Sequence, residues 1–250
     1  MNNLQQPRLL ALGDGAWTIE FGSSIDPVIH SRVLGFCNAL QKSTDIAEKI
    51  LEYLPSFRSV SVYYDPAKVD GIMLGSELLN LAQNSGNQLA EGRRLYIPVC
   101  FGDEFGPDLN EVAQLKNLEV SEVINLMTSS VFSVYMIGFL PGFPYLGGLP
   151  ESLNIPRLAN PRLTVPAGSI AIAAGMCAVY PWESPGGWRL LGQTPVPLFD
   201  VNHSDHPALI ASGDQIHWCS INKARYAELK IECQKTNWDR DSILEIKDWS

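Results

Sequence analysis

The chain has 250 residues, of which 46% are hydrophobic and 18% charged, a composition typical of soluble globular proteins. Its 18 basic residues stand against 27 acidic ones, which gives a formal net charge of −9 at pH 7. Such a surface field repels a phosphate backbone, so nucleic acid is not expected as a partner. The five cysteines form no C-x-x-C pair and cannot all pair with one another. This usage favours a reducing compartment, and we predict a cytoplasmic protein.

Two uncharged stretches, 123–150 and 163–182, are long enough to span a bilayer. Both contain several prolines and glycines, which break helices and would leave backbone groups unsatisfied in lipid. We therefore predict buried strands joined by tight turns in both stretches. No membrane is expected as a partner.

Residues 1–90 are predicted to form a small α/β sandwich. Alternating and helical hydrophobic patterns predict strands at 9–12, 17–21 and 59–64 and helices at 27–40 and 70–83. Asp26 has the residue type of a helix N-cap and Pro27 that of a first helical position. The order β-β-α-β-α indicates helices on one face of a mainly antiparallel sheet.

A second domain is predicted over 91–225. Asp108 and Glu111 have the spacing of a capping box, and Ser121 precedes another apolar turn, so two short helices are expected. Ten of the seventeen prolines and only six charged residues then lie between 139 and 200. Short strands between Gly and Pro turns favour a β-barrel there, which makes the predicted fold class α+β: a small N-terminal α/β sandwich followed by a barrel.

The last stretch, 226–250, carries ten charges in twenty-five residues and is predicted to be a solvated helical tail. A polar periodic segment of this kind has few apolar side chains to bury. We therefore treat it as a third segment outside both domains.

Most standard catalytic constellations are missing from the sequence. No Walker-type P-loop and no G-x-S-x-G elbow occurs. His203 and His206 lie close in a polar loop but lack a third ligand, so no metal site is predicted. Cys177 has no neighbouring His or Lys that would lower the pKa of its thiol, and it is interpreted as a small core residue. Catalytic residues stay unassigned.

Candidate binding residues concentrate in the charge-poor region. A buried Arg157 or Arg162 would need an anionic or carbonyl partner, and a carboxylate or phosphate ligand could supply one. The alternatives are solvation or an internal ion pair with Glu151 or Glu183.

Tyr145 lies among turns and aromatic rings, where a binding role and packing stay equally open. Phe139, in the same run, is expected to fill the barrel core. A Gly-rich turn nearby offers backbone N–H groups for an anion and an indole for stacking, a weak pattern by itself. The remaining candidates are Ser184, Gly186, Gly187, Trp188 and Gln193.

The motifs of the second half, taken together, resemble a known family. They are GFLPGFPYLGGL at 138–149, PR at 161–162, VPAGS at 165–169, YP at 180–181, SPGGW at 184–188 and GQTP at 192–195. In these motifs the chain resembles the family of B-type subunits of 5-oxoprolinase, also called allophanate hydrolase subunit 1 or the Kip-type kinase inhibitor family. The resemblance covers roughly residues 8–222.

The resemblance implies a small N-terminal α/β domain followed by a cyclophilin-like β-barrel. It also implies two partners, a homologous C-type subunit and an A-type subunit, with which ATP is used to open 5-oxoproline to glutamate. A small carboxylate or lactam would be the substrate. Three alternatives stay open: an inhibitor of a sensor histidine kinase, a carboxyltransferase-like subunit of a urea- or allophanate-degrading system, and a ligand-binding barrel without chemistry.

The chain departs from the family pattern at three places. Met127 stands where many relatives have His, Met176-Cys177-Ala178 replaces Q-T-G, and Gln193 replaces the Arg of G-R-T-P. A titratable group, an amide and a cation are thus exchanged together. We expect these exchanges to alter polar pocket residues and, with them, substrate or activity.

Overall fold

The computed structural model describes residues 6–86, 92–203, 206–235, 238 and 249. The chain divides into two compact units, 1–91 and 92–250. Among the described helices, none combines the length and apolarity that a membrane crossing requires.

The first unit is a four-stranded antiparallel sheet with helices packed on one face. Its strands are β1 (Arg8–Ala11), β2 (Ala16–Glu20), β3 (Glu52–Pro55) and β4 (Ser59–Tyr63), in the order β1-β2-β4-β3, and its helices are α1 (Pro27–Lys42), α2 (Thr44–Ala47) and α3 (Gly71–Asn84). The predicted antiparallel sandwich is confirmed. Strand β3 and the short helix α2 were not predicted, because neither segment carries a regular run of buried residues.

Both predicted helix starts are confirmed by their caps. The carboxylate of Asp26 accepts hydrogen bonds from the backbone N–H groups of Val28 and Ile29, at 2.7 and 3.2 Å. Asp70 caps α3 in the same way. A short acidic side chain satisfies otherwise unpaired N–H groups and favours the positive end of the helix.

The second unit contains a closed seven-stranded barrel. Its strands are β5 (Arg94–Phe101), β6 (Phe132–Ile137), β7 (Pro144–Gly147), β9 (Ser169–Ala173), β10 (Met176–Val179), β12 (Arg189–Gln193) and β13 (Gln215–Ser220). Around the barrel they follow the order β10-β7-β6-β13-β5-β12-β9. A separate two-stranded ribbon pairs β8 (Arg162–Val165) with β11 (Ser184–Gly186), and the helices are α4 (Leu109–Lys116), α5 (Val120–Ser129) and α6 (Lys223–Glu232). The predicted α+β class with a barrel in the second half is confirmed.

The core of this unit is apolar and fully enclosed. Side chains with no exposed surface fill it from several strands, among them Ile97, Phe132, Leu146, Ile172, Cys177 and Ile216, with Trp218 at 1%. Val112, Val123 and Met127 from α4 and α5 extend the same cluster. Burial on this scale is the main stabilising term for the unit.

Two local predictions at the helix starts are wrong. Asp108 precedes α4, but its side chain makes no cap hydrogen bond, because the carboxylate is bound elsewhere. Helix α5 begins at Val120 instead of after Ser121, and the backbone N–H of Glu119 donates to Glu122 at 2.7 Å. The capping box therefore lies at Glu119 and Glu122, at the start of α5, and not at Asp108 and Glu111 as expected.

Helix α6 crosses the boundary that we placed between 225 and 226. It begins at Lys223 and buries Tyr226 and Leu229 in the core of the second unit. Trp249 joins the same cluster and donates from its indole N–H to the carbonyl of Tyr96 at 2.8 Å. The segment is thus not wholly solvated, although residues 236–237, 239–248 and 250 of the predicted tail lie outside the described residues.

Candidate functional site

Strand β9 separates the barrel interior from an aromatic layer on its outer face. Ile170 and Ile172 belong to the interior cluster, whereas Ala171 and Ala173 belong to the outer one. Because consecutive side chains of a strand point to opposite faces, the small residues leave room for large rings outside. The structure fills the space over these small residues with packed rings.

Four rings, Phe143, Tyr145, Tyr180 and Trp188, form what we call the aromatic platform. The Phe143 ring centroid lies 5.0 Å from those of Tyr145 and Tyr180, and Tyr145 lies 6.0 Å from Trp188. The Tyr180 and Trp188 contacts are edge-to-face, an arrangement that aromatic quadrupoles favour. Trp188 is 4% exposed and Tyr145 is half-buried, so the platform is closely packed and opens to solvent at Tyr145.

The ribbon of β8 and β11 fits closely over the platform. A Cβ at Gly186 would collide with the Tyr180 hydroxyl, whereas a Cβ at Gly187 would meet nothing nearer than Pro161 at 3.5 Å. The hydroxyl of Ser184 is buried and has no hydrogen-bond partner among the described residues. Within SPGGW, Gly186 therefore packs against Tyr180, and only a glycine at this position leaves room for the Tyr180 hydroxyl.

Arg162 is used inside the protein. Its guanidinium pairs with the buried carboxylate of Asp108 at 2.5 Å and donates to the carbonyl of Trp188 at 3.4 Å. Asp108 also accepts the backbone N–H of Leu190 at 2.7 Å. The internal partner is thus Asp108 instead of Glu151 or Glu183, and Arg162 connects the ribbon to β12.

Arg157 is placed differently. Its guanidinium lies over the Trp188 ring, 5.7 Å from the centroid, and no carboxylate lies within ion-pair distance in the described part of the chain. The side chain is exposed, while Ile155 two residues earlier is 5% exposed and Leu158 donates its N–H to Gly187 at 2.7 Å. The backbone on both sides is therefore anchored, and the cation rests on an aromatic face.

The positive charge of Arg157 acts on two nearby phenols, those of Tyr145 and Tyr180. Burial raises the pKa of Tyr145, and the nearby Arg157 charge works against that rise. Burial likewise raises the pKa of Tyr180, with Tyr145 adding to the rise and Arg157 opposing it. Both phenols therefore stay protonated near neutral pH.

The remaining candidates have structural contacts. Gln193 donates from its side-chain amide to the carbonyl of Ala167 at 2.6 Å, which ties β12 to the turn before β9. Phe139 is 66% exposed at a φ of 70°, so the expectation that it fills the barrel core is wrong. A bulky side chain in the left-handed region is strained, and the flanking turns hold it there. Its ring contacts Phe143 edge-on at 5.5 Å.

The departures from the family pattern lie mostly in the core. Met127 and Cys177 are fully buried in the interior cluster, and burial raises the pKa of the Cys177 thiol. The expectation that these exchanges remove polar groups from a pocket is therefore wrong for both residues. Ala178 and Met176 of this set instead pack in the aromatic layer on the outer face.

Sequence reasoning missed two acidic residues. Asp108 fixes Arg162 and β12, as described above, and Glu111 pairs with the nearly buried Arg189 at 2.5 Å. Only the position of both acids at the start of one helix was visible in the sequence. His203 and His206 are exposed, and no group of three or more metal-ligand side chains occurs in the described ranges.

The first unit offers a polar groove of about 360 Å³ between α2 and α3. Its basic residue, Lys49, is already paired with Glu77 at 2.7 Å. Asp45 adds negative charge to the rim. The groove therefore lacks an uncompensated cation of the kind that Arg157 supplies in the second unit.

Comparisons with known proteins agree with this architecture. A family model described as "Carboxyltransferase domain, subdomain C and D" matches residues 7–210. The chain is 37% identical to the B-type subunit of 5-oxoprolinase from Bacillus subtilis over 232 residues, covering 88% of this chain and 95% of that protein.

Solved structures show the same fold. TTHA0988 superposes with a TM-score of 0.72 at 30% identity, over 83% of this chain but only 40% of its own. The K. lactis urea amidolyase superposes with a TM-score of 0.72 at 18% identity, over 90% of this chain and 15% of its own, a likeness of fold alone. The chain therefore belongs to the carboxyltransferase-domain family, subdomain C and D type, and within it to the 5-oxoprolinase B-type subunits.

Proposed function

We propose that this protein is the B-type subunit of an ATP-dependent 5-oxoprolinase. The observation that carries the proposal is the 37% identity to a protein of that name, over 88% of this chain and 95% of that protein. The other expected members of the complex are a homologous C-type subunit and an A-type subunit.

The reaction opens an unreactive lactam. The γ-phosphoryl group of ATP is transferred to the lactam carbonyl oxygen, and ADP leaves. Water then adds to the activated carbon, and the C–N bond breaks with protonation of the nitrogen, which leaves the acyl phosphate of glutamate. A second water attacks this acyl carbon, and phosphate departs with the original carbonyl oxygen. The products are glutamate, ADP and phosphate. Donors aimed at the developing charge would accelerate these steps.

This chain is suited to binding and orientation and not to nucleotide chemistry. The sequence has no Walker-type phosphate loop. Arg162, a candidate for binding an anion, is already ion-paired with Asp108. The aromatic platform with Arg157 opens to solvent at one side. A surface of this kind needs another chain to close it, which agrees with a subunit that does not act alone.

The test is 5-oxoproline-dependent ATP hydrolysis by this chain, alone and co-expressed with its C-type and A-type partner subunits. We expect turnover only in the assembled mixture. A verified complex that leaves ATP and 5-oxoproline unchanged would overturn the proposal. Inhibition of a sensor histidine kinase by the isolated chain would then favour the regulatory alternative.

A further inference from the structure

Arg157 differs from the other arginines of the second unit. Four of them contact a carboxylate within 4 Å: Arg93, Arg162, Arg189 and Arg225. In the part of the unit that the structure describes, Arg157 and Arg94 are the two without such a contact. Of these two, Arg157 is the one held on an aromatic ring. In a chain of net charge −9, an anchored and uncompensated cation is a place where an anion gains attraction.

The surroundings of Arg157 define the shape of that anion. Trp188 lies beneath the guanidinium, and Tyr145 stands edge-on to the same indole at 6.0 Å. Trp188, 4% exposed, supports the guanidinium from beneath, and the half-buried phenol of Tyr145 offers an apolar surface beside the cation. Backbone anchoring through Leu158 and Gly187 limits the conformations that Arg157 must give up on binding.

We infer that Arg157, stacked on Trp188, and Tyr145 form one wall of a site for a small cyclic monocarboxylate. Resting on the proposed function, the ligand class is the lactam acid 5-oxoproline, with its carboxylate on Arg157 and its ring against the Tyr145 phenol. A single guanidinium balances one negative charge, and its planar fork matches the two oxygens of a carboxylate. A phosphate dianion would leave charge unbalanced at this wall.

The decisive variant is Arg157→Gln in the assembled complex. Loss of a charge-assisted pair should raise the KM for 5-oxoproline about 10- to 100-fold, with kcat and the KM for ATP changed far less. Arg157→Lys keeps the positive charge but lacks the planar guanidinium, so its KM for 5-oxoproline should lie between those of the wild type and Arg157→Gln. Arg94→Gln is the matched control, because it removes another arginine without an acidic partner and should leave the KM for 5-oxoproline unchanged. Wild-type KM in Arg157→Gln would overturn the inference.

A second measurement separates this inference from the proposed function. Tryptophan fluorescence of the full chain is titrated with 5-oxoproline, with 2-pyrrolidinone, which is the same ring without the carboxylate, and with inorganic phosphate. We expect 5-oxoproline to bind at least about 10-fold more tightly than 2-pyrrolidinone, and this preference to vanish in Arg157→Gln. The result holds whether or not the complex turns over.

Either of two titration results would contradict the proposed binding wall. Equal affinity for 5-oxoproline and 2-pyrrolidinone would show that Arg157 does not bind the carboxylate. Phosphate displacing 5-oxoproline at equal concentration would assign the cation to a phosphate instead. A verified complex that does not hydrolyse ATP, together with 5-oxoproline binding that depends on Arg157, would reject the 5-oxoprolinase assignment but support the carboxylate site.

Discussion

The interior and the outer face of the barrel are built from the same strands but differ in chemistry. Inside, Ile172 and Cys177 pack among aliphatic and aromatic side chains with no exposed surface. Outside, Ala171 and Ala178 make room for the aromatic platform and for Arg157. A sealed apolar interior supplies stability, whereas the outer face carries an exposed cation on closely packed rings, where we propose that a ligand binds. On this proposal, stability and binding depend on opposite faces of shared strands.

The largest expected effect is on the interior. Ile172→Ala should lower the free energy of unfolding by about 2–5 kcal/mol, because a fully buried side chain is replaced by a cavity. Urea denaturation followed by circular dichroism measures the loss. Leu163→Ala, at a residue 91% exposed, is the control and should change stability by less than about 0.5 kcal/mol. Equal losses in the two variants would refute the division of roles.

Asp108 connects the ribbon to β12 through Arg162 and Leu190. Asp108→Ala should cost about 2–4 kcal/mol of unfolding free energy, since it leaves a partly buried guanidinium and a buried N–H group without their acceptor. Asp108→Asn keeps an acceptor but not the charge and should lose less. Thermal unfolding of both variants checks the order, and an unchanged Asp108→Ala would contradict the assigned contacts.

Adjacent glycines test the fit of the ribbon over the platform. Gly186→Ala should destabilise the second unit by about 1–3 kcal/mol, because the new Cβ must displace the Tyr180 hydroxyl. Gly187→Ala, whose Cβ has room, should stay near the wild-type value. Chemical denaturation of the pair decides the point. A reversed order would mean that the ribbon is seated differently.

The smallest expected effect is a pH dependence at Tyr226. Burial against Phe105 raises the pKa of Tyr226 from its ordinary value of 10.0 to about 12. A raised pKa in the folded state stabilises below pH 10, and that contribution is lost as pH rises toward 12, because the unfolded chain releases its proton first. Tyr226→Phe should flatten the fall in unfolding free energy over this window. An identical slope in both proteins would contradict the burial of the hydroxyl.

Much of the fold followed from local patterns. The cap at Asp26 and the alternation of β4 each lie within a few residues, so the sequence shows them directly. Strand β3 escaped prediction because it is only four residues long and its side chains are at most half-buried. Tertiary pairing with β4, and not local preference, makes it a strand.

The site was predictable in part. Arg157, Tyr145 and Trp188 stood out as a cation and rings in a region poor in charge. The role of Asp108 did not, because its partners lie 54 and 82 residues away in the sequence. Such long-range pairing also explains why Arg157 and Arg162 look alike in the sequence and yet differ in availability.

The assignment of binding to the outer face is tested most directly by one pair of KM values for 5-oxoproline in the assembled complex. The two variants are Arg157→Gln, on the platform, and Cys177→Ala, in the interior. We predict a KM raised about 10- to 100-fold in the first and a wild-type KM in the second. An unchanged Arg157→Gln together with a raised KM in Cys177→Ala would place recognition inside the barrel and contradict the account.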